Sequence, residues 1–198
     1  MNIKNNSFPK IHDLLKEATA SLHKKVENVN TLTFDRPSIN HYIQYISIMY
    51  RILNPIEKEL LKYRVSLEEI FNININAFIR IPLLKLDLQQ LNIPESNLTP
   101  SHFIPCINSI PQCLGILYVL EGSNLGGQVL YKKLSSIHGD KLKGAMNFLL
   151  GKGSETFKNW KYFLNHLIEY SELNPNHNEE IIKYAKKIFE CFEKEFAN

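Results

Sequence analysis

The sequence has little cysteine and no concentration of charge, and each shortage excludes a class of protein. Its 198 residues carry three cysteines, Cys106, Cys113 and Cys191. The number is odd and no CxxC occurs. That supports neither a disulfide framework nor a zinc site, and it suits a reducing compartment. Basic residues number 23 and acidic residues 20, spread along the chain for a formal net charge of +3. No basic run calls for nucleic acid or a membrane surface. No apolar run approaches the roughly 20 residues needed to span a bilayer. The opening MNIKNNSFPK lacks the apolar centre of a signal peptide. The expectation is therefore a cytoplasmic protein with no nucleic-acid and no membrane partner. Internal repeats and alternating strand patterns are also missing.

What is present is ordinary globular composition, 44% hydrophobic and 22% charged. The chain is long enough to bury a full core, and it reads as one domain over residues 1–198. Helical periodicity dominates. Ile11, Leu14, Leu15, Ala18, Leu22 and Val26 recur at spacings of three and four and form one apolar face. After a turn at Pro37–Ser38, the segment to Tyr63 predicts one or two helices, with Pro55 starting or kinking the second. Residues 67–100 predict short helices broken at Pro82, Pro94 and Pro100. A helix follows over about 111–137, then a weak segment over 139–153. Ser154 and Glu155 predict a capped start for the next helix, and an amphipathic helix closes the chain. The fold class is all-α, with connections too irregular for a simple four-helix bundle.

Two local patterns stand out. Lys16, Thr19, His23 and Glu27 share a second face of the first helix, about 100° from the apolar one. An imidazole there can ligate a metal through one nitrogen while Glu27 holds the other N–H. The same pattern also suits a solvated surface pair. The second pattern is LEGSNLGGQVLYKKL (Leu120–Leu134), which places Gly122, Gly126 and Gly127 inside a helix. Each costs roughly 1 kcal/mol relative to alanine. Glycines of this kind serve either a close ligand or a tight helix crossing.

Together, LKEATASLHKKVEN (Leu15–Asn28) and the glycine segment resemble the proximal and distal helices of haem oxygenases, closest to the bacterial, biliverdin-producing branch. The resemblance implies a single-domain multihelical fold with haem sandwiched between a proximal and a kinked distal helix. It implies His23 as the iron ligand, with Lys16, Thr19 and Glu27 around it. Gly122, Ser123, Gly126 and Gly127 would lie over the oxygen site, with the glycines facing one disc. Lys16, Lys132 or Lys133, Lys158 and Lys161 are candidates for the propionates. Ser123 stands where some members carry Asp, and Tyr118 is offset by one position from the usual distal tyrosine.

The implied reaction opens haem to biliverdin with release of iron and carbon monoxide. Haem is both cofactor and substrate, and dioxygen is the co-substrate. Electrons would come from a ferredoxin, a flavodoxin or a reductase to a monomeric enzyme, and a bilin-using photoreceptor is a possible consumer of the product. Three other readings stay open. They are a haem-binding protein without turnover, a thiaminase-like hydrolase using Cys106 or Cys113, and a structural helical module.

Overall fold

The structure, a computed structural model, describes residues 10–198. Residues 1–9, most of the stretch read above as no signal peptide, lie outside the described residues. The α-helices are α1 (Ile11–Val29), α2 (Ile39–Lys62), α3 (Arg64–Phe71), α4 (Ile81–Gln90), α5 (Ile110–His138), α6 (Asn147–Leu150), α7 (Thr156–Leu173) and α8 (Asn178–Ala197). Short 3-10 turns link them, and the described residues contain no strand. No helix among them is long and apolar enough to cross a membrane.

Prolines do less breaking than the sequence suggests. α2 runs without interruption through Pro55. A proline there cannot donate to the carbonyl four residues back, which is that of Arg51. The backbone N–H of Ser101 donates to that carbonyl instead, at 3.1 Å. A distant loop thus satisfies the acceptor the proline orphans. Pro82 does not break α4. It sits in the first turn, where its missing N–H is harmless. The expected cap at Ser154–Glu155 is absent. Those residues form a 3-10 turn, and α7 starts at Thr156 with no side-chain cap.

Buried carboxylates cap two helices instead. Glu57 accepts from the backbone N–H of Arg80 at 2.8 Å and of Ile81 at 3.0 Å, at the start of α4. Asp87 accepts from the N–H of Asn147 at 2.7 Å and of Phe148 at 2.8 Å, at the start of α6. Each meets the positive end of a helix dipole.

α8 is the common floor. Both α1 and α5 pack along it. At Gly115 the crossing is so close that a Cβ would lie 2.2 Å from the Ile181 carbonyl oxygen. The first third of α5, Pro111 to Glu121, is buried throughout.

Candidate functional site

α1 and α5 flank α8; side chains join them near their starts, and α5 reaches the connection just past α1 near its other end. Near their starts, the ring of His12 lies 6.2 Å from that of Tyr118. The indole of Trp160, from α7, closes this corner at 6.3 Å from His12 and 5.5 Å from Tyr118. At the other end, Lys133 Nζ donates to the carbonyls of Thr33, at 3.1 Å, and Phe34, just past α1. The two helices therefore run in the same sense, and the space between them from one junction to the other is the candidate cleft.

His23 falls on the side of α1 that His12 marks. It lies eleven residues after His12, three turns and only about 20° further round the helix. That azimuth puts His23 on the same side of α1 as His12, whose ring meets Tyr118 and Trp160. The His23 side chain is 60% exposed, and its Nδ1 lies 3.5 Å from Glu27 Oε2. Phe189 of α8 sets its ring against the imidazole at 5.6 Å, edge to face. The outer nitrogen, Nε2, has no protein partner among the described residues. Lys16 shares this side of α1 and is exposed. Thr19, seven residues after His12, lies on this side too. It is buried and donates its hydroxyl to the Leu15 carbonyl at 2.8 Å, a bond within its own helix.

The opposite wall is a single face of α5. Tyr118, Gly122, Gly126, Val129 and Lys133 fall within about 80° of one another at 100° per residue. α5 stays helical through its glycines. A Cβ on Gly126 would meet nothing within 4 Å, and Val129 is 67% exposed. This is the open stretch of the wall.

The glycines do not all face one space. A Cβ on Gly122 would touch the Trp160 indole at 3.5 Å, so that glycine seats the tryptophan closing the cleft. Gly127 is buried on the far side, where a Cβ would lie 3.4 Å from the Leu149 carbonyl oxygen. It lets α6 pack close, as the 100° step from Gly126 requires. Ser123 sits at the edge of the open face and donates its hydroxyl to the Leu120 carbonyl at 2.6 Å, a back-bond that often bends helices.

The basic candidates divide. Lys132 is exposed on α5. Lys133 is committed to the carbonyls of Thr33 and Phe34. Lys161 Nζ sits 4.7 Å over the Phe157 ring on α7. Lys158 is turned about 160° away from Trp160 around α7. It is 82% exposed and pairs with Glu155 at 3.3 Å, so it does not face the cleft.

A buried ionic cluster backs the α5 wall. Arg80 donates to the Phe148 carbonyl at 2.7 Å and lies 3.9 Å over the Phe148 ring. Burial lowers its pKa. Glu121, next to Gly122, is buried and pushed up to about 7 by desolvation, against the pull of Arg80 and Lys152. The buried thiols are not activated. Both are fully enclosed, and burial pushes Cys113 up to about 12 and Cys191 up to about 11, the setting of a structural cysteine.

Sequence reading missed His12, Trp160 as the cleft stop, and Phe189. The shared azimuth of His12 and His23 was a usable signal. Phe189 had none, because its contact with His23 joins residues 166 positions apart.

The architecture has known counterparts. The solved haem oxygenase of Neisseria meningitidis, bound to NO and CO, is 21% identical. It covers 94% of this chain and 90% of its own, with a TM-score of 0.73. The haem oxygenase of Leptospira interrogans is 16% identical, covers 96% and 99%, and gives a TM-score of 0.77. At these identities the likeness shows the fold. No curated protein matches the chain in sequence. The model of the family described as "Heme oxygenase" matches residues 10–198, all of the described chain, so this protein belongs to the haem oxygenase family.

Proposed function

We propose that this chain binds haem in the cleft between α1 and α5 and opens it to biliverdin, releasing iron and carbon monoxide. The observation that carries the reading is one pairing across the cleft. His23, with Glu27 behind it, stands on one wall, and the other wall is bare at Gly126. The donor set fits. Among the described residues no three His, Cys, Asp or Glu side chains gather to hold a bare metal ion. A porphyrin supplies four ligands itself, so one imidazole is enough.

When bound, haem supplies both the iron that activates dioxygen and the ring that is cleaved. The chain's part is placement. His23 would offer Nε2 to the iron while Glu27 holds the proton on Nδ1 and fixes the tautomer. An imidazole lacks the strong push of a thiolate, which would favour O–O cleavage. The bare face at Gly126 leaves room for a diatomic molecule and lets the α5 backbone approach it. Trp160, His12 and Tyr118 would bound the ring at the closed end. Lys16, Lys132 and Lys161 would meet the propionates. The reading includes a cytoplasmic monomer drawing electrons from a ferredoxin, flavodoxin or reductase.

A second reading, haem binding without turnover, has one observation in its favour. The only hydroxyl proton of Ser123 is spent on the Leu120 carbonyl, which leaves the side chain able only to accept. One experiment separates the two. Haemin is titrated into the protein, and a reductant is added under air. Growth of a bilin band as the Soret band decays supports turnover, whereas a stable Soret band means binding alone. In His23→Ala the ferric spectrum should change and added imidazole should restore it.

A further inference from the structure

The end of α5 holds the connection between α1 and α2 at two points. Lys133 Nζ donates to the carbonyls of Thr33 and Phe34. One turn and a half further on, His138 Nε2 lies 2.8 Å from the Pro37 carbonyl oxygen. A carbonyl only accepts, so Nε2 carries the proton in this contact. The connection is itself braced against α1. Thr33 donates its hydroxyl to the Glu27 carbonyl at 2.9 Å and to the Asn30 carbonyl at 2.7 Å, and Asn30 Oδ1 accepts from the Leu32 N–H at 3.0 Å. A pull on the connection therefore reaches the last turns of α1, which carry Glu27 and, one turn earlier, His23.

We propose that Lys133 and His138 are positioning residues that set the width of the cleft. The corner of His12, Tyr118 and Trp160 fixes the spacing of α1 and α5 near their starts. The Lys133–His138 clamp fixes it at the other end, so the walls are held at two points with the bare face of Gly126 between them. Both clamp donors are addressed to backbone carbonyls. The clamp thus needs a donor of the right reach at 133 and 138 and is indifferent to the side chains of residues 33–37. Lys133 is thereby spent on the fold, which removes it from the cations free to meet a propionate. The inference rests on the α1–α5 cleft being the haem site.

The test pairs an apo measurement with a loaded one, using Lys133→Met, which keeps the stem and loses the donor, and Lys133→Arg, which restores one. In the haem-free protein, hydrogen exchange followed by mass spectrometry should quicken for the peptide covering residues 30–38 in the Met variant, with the α5–α8 crossing unchanged. In the loaded protein, haemin loss to a scavenging apoprotein should quicken about tenfold, the equivalent of one charge-assisted hydrogen bond, and the Arg variant should return it to within about twofold. Faster exchange with an unchanged haemin-loss rate overturns the role in setting the cleft. Unchanged exchange overturns the clamp itself. Wild-type protein that binds no haemin refutes the underlying site, a distinct result, and the exchange arm still decides the clamp.

Discussion

Gly115 on α5 and Ile181 on α8 approach so closely that a Cβ on the glycine would lie 2.2 Å from the Ile181 carbonyl oxygen and 3.0 Å from the Ala185 nitrogen. Both obstacles are backbone, so neither can swing aside. Gly115→Ala should destabilise the protein by about 1–3 kcal/mol, the cost of overpacking a close contact. Denaturant melts measure this. An unchanged midpoint would mean that α8 can shift freely, and with it the floor of the cleft.

Gly126 is the contrasting case. With open space around it, Gly126→Leu relieves a helix of a poor helix former, and apo stability should hold or rise by up to about 1 kcal/mol. The leucine would project into the space assigned to haem and dioxygen. Haem affinity or reductant-driven turnover should fall. Full turnover in this variant would remove α5 from the oxygen site.

Glu27 should act on haem only through His23. Glu27→Gln should lower haem affinity or activity by about 10–100-fold, the usual effect of losing a partner behind a metal ligand. Trp160 is the only tryptophan in the chain, so quenching of its emission gives the titration a single-site reporter. Resonance Raman of the ferrous protein checks the cause, because a weakened support lowers the Fe–His stretch. An unaltered stretch returns Glu27 to the solvated surface.

Two buried carboxyls give the fold a pH dependence of definite sign. Glu57 and Glu121 are both pushed up from 4.5 to about 7, chiefly by burial. Between pH 4.5 and 7 the unfolded chain has released these protons while the folded chain keeps them. The native state binds more protons there, so these groups make stability fall as pH rises through that window. Glu121→Gln keeps the neutral shape and removes one contribution. Melts at pH 5, 6 and 7 should show a shallower fall than in wild type. An identical slope would mean that Glu121 is already ionised at pH 5.

The sequence by itself determined what depends on near neighbours along the chain. Helical periodicity announced α1, α5 and α8 to within a few residues, because apolar side chains three and four apart must share a face. The His23–Glu27 pair was readable for the same reason, being one turn of one helix. So was the presence of an unusual wall at Gly122–Gly127, since glycine carries its helix cost wherever it sits.

Only the tertiary structure decided what each of those positions faces. Gly122, Gly126 and Gly127 read alike in sequence. Their different roles come from Trp160, empty space and Leu149, which approach α5 from different directions. Gly115 gave no signal at all, because its constraint is the backbone of a helix some 66 residues later. Pro55 left one helix or two open, and the chain forms one, because Ser101, far along the chain, donates to the carbonyl that the proline leaves free. Thr19 and Lys158 carried the right chemistry for a site. One turned its hydroxyl into its own helix, and the other points away from the cleft. Spacing fixes an azimuth on one helix, and the packing of α1 and α5 on α8, and of α7 against α1 and α5, fixes which azimuths look at one another.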